Sequence, residues 1–379
     1  MSFYPRIIKK NIEKNLFKGK VIIIYGARQV GKTTLVKEIL KKYKGQSTFF
    51  NCELLSVRQS LEVEEAVMLK DFLGDNKLIV LDEAQNVRNI GKILKIIVDT
   101  YPEIQIIATG SSSFDLANKT SEPLTGRAIR FTLSPLSLEE IRHKNNLVGL
   151  NAELENIMRF GTYPEVFLAT EELAKDKLDE IASNYLYKDV LMLEGIKKPA
   201  VIIKLLQLLA LQLGDEVSYS ELAMTLGINR ITVEKYIDLL EKCFVIFTLR
   251  ALSRNMRKEI SKSVKIYFYD LGIRNSLIQN YNPMELRSDI GALWENLMVA
   301  EKIKKNSYHK IYANLYFWRT YDQKEIDLIE ERDGKFFAYE FKWKKDKAKE
   351  PVEFLSNYAN SEFQIINKDN YWSFVAGGK

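Results

Sequence analysis

Two cysteines, Cys52 and Cys243, and two histidines, His143 and His309, are all that a chain of 379 residues contains. A disulfide scaffold, a zinc ribbon and histidine-based metal chemistry are thereby set aside. Long hydrophobic runs are missing too. Nothing approaches the ~18 unbroken apolar residues of a membrane span: Val21–Tyr25 is short, and Leu205–Leu213 is interrupted by Gln207 and Gln212. The first residues scatter lysines among apolar side chains and offer no signal-peptide core. The expectation is a cytoplasmic protein without a membrane partner. Charge of one sign is also in short supply, since 56 Lys and Arg stand against 50 Asp and Glu. A net +6 permits nucleic acid as a partner without requiring it. What is present is ordinary globular material, 46% hydrophobic and 28% charged. At roughly 150 residues per domain, two or three domains are expected.

Neither repeats nor low-complexity linkers mark boundaries, so changes of pattern must. Short β-rich runs at Val21–Tyr25, Thr48–Asn51, Leu78–Leu81, Ile104–Thr109 and Ala128–Leu133 alternate with helical stretches. Continuous apolar strands separated by helices imply a parallel α/β sheet covered on both faces. From Ser137 to about Leu213 the apolar period becomes three and four, punctuated at Gly161–Pro164 and Lys197–Pro199. Strands return after Phe244, and a second α/β pattern begins at Asn282. These shifts predict segments 1–136, 137–199, 200–281 and 282–379.

The strongest local signal is Gly26-Ala27-Arg28-Gln29-Val30-Gly31-Lys32-Thr33, followed by Thr34, directly after an apolar strand and before an amphipathic helix predicted over Lys32–Tyr43. It fits the phosphate loop GxxxxGK[ST]. Glycines let successive amides turn inward around a phosphate, and the helix start adds partial positive charge. Residues Gly26 to Thr34 are therefore the expected ATP cradle. Lys32 would reach the β and γ phosphates, and the Thr33 hydroxyl would ligate Mg2+. The run Leu78-Ile79-Val80-Leu81-Asp82-Glu83 ends an apolar strand in two acids. Placed beside the first strand, it would offer Asp82 to the metal and Glu83 as general base to an attacking water.

Two further residues have open readings. Ser111, in Gly110-Ser111-Ser112-Ser113 after a central strand, either senses the γ phosphate or belongs to a serine-rich turn. Arg127, in Thr125-Gly126-Arg127, either completes a neighbouring copy's site as an arginine finger or is a surface guanidinium.

The GARQVGKTT loop, the LDEAQ strand end, the TGSSS turn and the GR pair followed by Pro135-Leu136-Ser137 with Glu139 resemble prokaryotic AAA-type ATPases that carry a carboxy-terminal domain of unknown function. The resemblance continues through Gly161-Thr162-Tyr163-Pro164, Tyr269-Asp270-Leu271-Gly272 and Gly291-Ala292-Leu293-Trp294-Glu295. It implies an AAA-type P-loop core with a small helical lid, then a winged helix and a nuclease-like domain. It also suggests assembly into a homo-oligomer.

The middle segment predicts a helix led by Ser218 over Tyr219–Leu226, a turn at Gly227-Ile228-Asn229, and a third helix from Arg230 to about Lys242. Leu222, Ala223, Leu226, Ile228, Val233, Ile237 and Leu240 make one apolar seam, a helix-turn-helix layout. Strands Phe244–Leu249 and Val264–Tyr269 would form a wing. Between them Arg250, Arg254, Arg257, Lys258 and Lys262 face a lone acid, Glu259, an excess that could grip DNA phosphates. The third helix pulls the other way, because Arg230, Lys235 and Lys242 are matched by Glu234, Asp238 and Glu241. DNA contact and a packing or partner-binding role both remain.

In the tail, Glu325–Glu331 and Phe336–Trp343 read as a hairpin about Asp333-Gly334, with partners whose numbers sum to 667. Asp327 then faces Glu340, Lys342 faces Glu325, and Ile329 with Ala338 forms an apolar floor. Ile326, Leu328, Tyr339 and Phe341 would be core on the other face. Two carboxylates so close need a positive group between them. This is the layout of a PD-(D/E)xK nuclease, with Asp327 and Glu340 on magnesium and Lys342 positioning or activating water. Glu295, on a helix predicted over Gly291–Lys304, resembles the additional helix acid of that superfamily. Ile326 stands where the motif has proline. The competing reading is a charged hairpin with a solvated edge at Lys342-Trp343-Lys344-Lys345, and a bulge would break the pairing.

Three functions follow: an ATPase that also cleaves DNA, an ATPase that binds DNA without cutting, and a signalling or scaffold ATPase whose tail binds protein.

Overall fold

Residues 4–111, 123–191, 199–252, 264–320, 324–344 and 349–377 are described by the computed structural model, with backbone alone at 184–191 and 199. Ser112, Ser113, Lys197, Lys198, Arg254, Arg257, Lys258, Glu259, Lys262 and Lys345, which fall within the segments singled out above, lie outside the described residues. The chain divides into two units. One comprises 5–134 with 242–244, and the other 135–241 and 245–379 together with the first four residues.

In the first unit five parallel strands form one sheet: β1 (Val21–Tyr25), β2 (Ser47–Asn51), β3 (Leu78–Asp82), β4 (Gln105–Gly110) and β5 (Ala128–Thr132). Their order is β2-β3-β4-β1-β5. β1, β3 and β4 are buried at every position, as strands covered on both faces must be. Val21, Ile23 and Tyr25 face a core that the helix Ile90–Thr100 completes with Ile90, Ile93, Leu94 and Ile97, spaced three and four apart. Each such aliphatic side chain contributes about 1.5–3 kcal/mol on full burial. The expected neighbourhood of β1 and β3 is corrected here: β4 lies between them, paired to both.

The second unit has a seven-stranded sheet made of β6 (Glu216–Val217), β7 (Ile246–Ala251), β8 (Val264–Phe268), β9 (Asn314–Arg319), β10 (Glu325–Arg332), β11 (Lys335–Phe341) and β12 (Ser361–Ile366). The order is β12-β11-β10-β9-β7-β8-β6, with β7 and β9 joined in parallel. Strands on both sides of residue 282 are thus hydrogen-bonded in one sheet. The helices Tyr219–Leu226 and Arg230–Lys242 meet at Gly227, which takes φ +63° at the turn. The serine of Pro135-Leu136-Ser137 opens a capping box on the helix Leu138–Arg142, with Ser137 Oγ and the Glu140 carboxylate each accepting the other residue's amide. The Gly161-Thr162 and Tyr269-Asp270 segments touch, the Thr162 amide donating to Asp270 Oδ2 at 2.7 Å. Among the described residues no helix is long and apolar enough to cross a membrane.

Candidate functional site

The phosphate loop leaves β1 at Gly26, where a Cβ would lie 2.2 Å from the Leu133 carbonyl oxygen, so only glycine fits. Gly31 ends the loop at φ +97°, a left-handed conformation that a side chain disfavours, and serves as N-cap of the helix Lys32–Leu40. Gly26, Ala27, Val30 and Lys32 are buried, Arg28, Gly31 and Thr33 half-buried, and Gln29 and Thr34 exposed. Lys32 Nζ donates to the carbonyls of Gly26 (2.8 Å) and Ala27 (2.9 Å).

Asp82 closes β3 beside this loop. Its carboxylate accepts from Thr33 Oγ1 at 2.7 Å and from Thr109 Oγ1 at 2.6 Å. Thr109 reaches it from the intervening strand β4, and its hydroxyl also accepts the Glu83 amide at 3.1 Å. Glu83 takes φ +53°, an uncommon conformation for a residue with a side chain. Gln85 Nε2 donates to Glu83 Oε2 at 2.6 Å and to Ser111 Oγ at 3.3 Å, so Glu83 and Ser111 share one amide group. Burial first, then the charges of Asp82 and Glu83, push the Cys52 thiol up to about 12. The Thr33 hydroxyl and the Asp82 carboxylate are hard oxygen donors side by side, a donor set that suits magnesium once phosphate oxygens and water complete the shell.

Arg127 stands at the other end of the strands. Its carbonyl accepts the Val21 amide at 2.8 Å, and Ala128 pairs with Val21, so roughly 15 Å of strand separates it from the loop. Its guanidinium pairs with Asp99 at 2.6 Å.

In the second unit the hairpin has the expected sum of partners from Leu328↔Tyr339 to Arg332↔Lys335, turning on Asp333 and Gly334 with positive φ at both. Beyond Leu328 two expectations are corrected. Register against β9 shifts between Ile326 and Ile329, and this bulge turns Ile326 to the same core cluster as Ile329 and Ala338. Lys342 does not serve Glu325: its Nζ pairs with Glu340 Oε1 at 2.8 Å, while Glu325 pairs with Lys265 and Arg319. The Asp327 carboxylate accepts the Phe341 amide at 2.8 Å. Burial first, then Glu295 and Glu340, raise its pKa well above the ordinary aspartate value. Glu295, on the helix Ile290–Tyr308, accepts from Lys265 Nζ (2.9 Å) and Tyr267 OH (2.6 Å) at one oxygen, Oε1. Glu295, Asp327, Glu340 and Lys342 are thus gathered. Among the described residues no group of three or more His, Cys, Asp or Glu is arranged to hold a metal ion.

Sequence reasoning missed Lys265 and Tyr267 on β8, whose signal was a lysine inside the apolar run Val264–Phe268. It gave Thr109 and Gln85 no role, although each is a polar residue just at or after an apolar strand's end. Arg6, whose Nη1 donates to the Val30 carbonyl at 2.7 Å, carried no signal. On the turn-linked helices, Arg230 is spent on Glu234 at 2.9 Å, while Met224 and Ile231 stand 82% and 76% exposed.

Residues 18–142 match the profile of the AAA domain family. Residues 151–283 and 290–370 match two domains of unknown function, DUF8612 and DUF4143. The chain is 28% identical over 339 residues to an uncharacterised protein of Mycobacterium tuberculosis, covering 87% of this chain and 72% of that one. An uncharacterised protein of Haemophilus influenzae is 22% identical over 98% of this chain and 94% of its own. Among solved structures, the Walker-type ATPase of Pyrococcus abyssi is similar at a TM-score of 0.50 and 16% identity, over 73% of this chain and 96% of that one. That likeness is one of fold.

Proposed function

We propose, from the premise that the first unit is an AAA-type P-loop ATPase domain, that the chain binds and hydrolyses ATP. The observation that carries this is the hydrogen-bonded series Thr33–Asp82–Thr109 beside the phosphate loop. Loop amides and the helix start would bind the β and γ phosphates, and Lys32 would exchange its loop carbonyls for phosphate oxygens. Thr33 and Asp82 would hold Mg2+, with Thr109 fixing the carboxylate from behind. When bound, the ion neutralises charge on the phosphate oxygens. Glu83 would take the proton of the attacking water, and Gln85 would orient it relative to Ser111.

The tail's partner is DNA in the first form of this proposal. Its support is the basic stretch that begins at the exposed Arg250 and the gathering of Glu295, Asp327, Glu340 and Lys342 in a nuclease-like order of elements. A second form, a scaffold ATPase whose winged helix binds protein, is favoured by Met224 and Ile231: exposed apolar side chains beside a turn suit a protein surface better than phosphates. ATP turnover by the wild type and Lys32→Ala, each with and without DNA, tests both. Loss of turnover in Lys32→Ala is expected, and turnover indifferent to that change would overturn the mechanism. Stimulation by DNA with salt-sensitive retention supports the first form. Absence of retention at low salt supports the second.

A further inference from the structure

Glu295, Glu325, Asp327 and Glu340 converge from one helix and two strands of the second unit. Carboxylates crowded in a buried site ionise together only if something neutralises them: a metal ion, a proton or a side-chain cation. Here the neutralising groups belong to the chain. Lys265, 1% exposed, pairs with Glu295 Oε1 at 2.9 Å and with Glu325, and its ammonium lies 5.8 Å from the Phe317 ring of β9. Tyr267 OH adds a hydrogen bond to the same Glu295 oxygen. Lys342 holds Glu340, and the Phe341 amide holds Asp327. A divalent ion entering this cluster would displace donors already seated and stand against a buried ammonium.

We propose that Lys265 is the resident cation of the tail site, occupying the role of a divalent metal, so that the tail engages its partner without metal-dependent cleavage. Burial opposes charge on Lys265, but Glu295, Asp327 and Glu325 outweigh it and hold its pKa above the ordinary lysine value. The ammonium therefore stays protonated and is neither a base nor a departing group. Burial, with Glu295 and Glu340 beside it, raises the Asp327 pKa above its ordinary value. The site is balanced from within. The proposal rests on the nuclease-like reading only in naming the ion that is excluded.

The test titrates Mn2+ into the full chain carrying Lys32→Ala, which removes the nucleotide-dependent ion from the count, and follows free Mn2+ by its paramagnetic signal. No stoichiometric uptake is expected. Adding Lys265→Met should raise affinity by about tenfold or more, because a like charge leaves the carboxylates, and adding Asp327→Asn should remove that gain. Uptake of one ion by the chain that retains Lys265, abolished by Asp327→Asn, would overturn the proposal. That comparison keeps Lys265 throughout, so it stands even where Lys265→Met unfolds the unit, which a thermal melt reveals. DNA retention in the absence of divalent ions is a separate readout, so failure of the nucleic-acid reading is not confused with failure of this one.

Discussion

Asp82 and Glu295 are both acids with two donors beside a predicted metal position, yet the donors differ in kind. Asp82 is held by the hydroxyls of Thr33 and Thr109. Glu295 is held by an ammonium and a phenol. A hydroxyl orients a carboxylate without cancelling its charge, whereas an ammonium does both. The first arrangement leaves the carboxylate's charge in place for the proposed magnesium ion, and the second sets a side-chain ammonium against it. Donor type thus separates two acidic sites that a count of carboxylates would class together.

The comparison breaks most readily at Glu83. Replacing it with glutamine keeps the shape and the amide contact to Thr109 but removes the proton acceptor, so turnover should fall about 10²–10⁴-fold, with nucleotide binding retained in a fluorescence titration. Phosphate release close to wild type would show that Glu83 is not the base. The next effect belongs to stability. Lys265→Ala leaves Glu295 buried without its ammonium and should cost about 3–5 kcal/mol in the unfolding of the second unit, read as a lowered denaturant midpoint while ATP binding stays unchanged. Lys342→Ala, at a side chain 39% exposed, should cost less than about 1 kcal/mol. Equal losses at the two lysines would remove the distinction between resident cation and surface partner.

How much of this was legible in sequence follows from range. β1, β3 and β4 were readable because each is a largely apolar run a few residues long, buried throughout as a central parallel strand is. The pairing sum of the hairpin was readable because Asp333-Gly334 favours a two-residue turn, which sets register locally. Strand order was not, since whether β4 lies between β1 and β3 depends on crossovers rather than on any run of residues. The bulge at Ile326 to Ile329 escaped for a related reason: alternation assumes an unbroken ladder, and the partner β9 that breaks it lies across an intervening segment. Lys265 was hardest, because its acidic partners come from residues 295 and 325, and no spacing links them.

The finest contrast lies between two acids of the second unit. Asp289 meets Arg274 Nη1 at 2.6 Å and Arg287 Nη2 at 2.8 Å, whereas Asp327 has acids among its neighbours. Burial works against the Asp289 charge, but the hydrogen bond from Arg287 and the charge of Arg274 prevail and hold its pKa at about 2. A carboxylate depressed on folding contributes stability above its unfolded value, ~3.8, and loses it as pH falls through the folded one. Asp327 has the opposite sign: its raised pKa means that the folded unit binds the proton more tightly, so acid favours folding there. Asp289→Asn should therefore lower the unfolding free energy at neutral pH by about 1 kcal/mol, the carboxylate being partly exposed, and the gap to wild type should close between pH ~4 and ~2. Asp327→Asn should show no such closure over that window, because the Asp327 pKa is shifted in the opposite direction. If Asp327→Asn starts less stable than wild type and closes that gap between pH ~4 and ~2, as Asp289→Asn does, Asp327 is ionised in the folded unit above that window, and the internal balance assigned to the tail site does not hold.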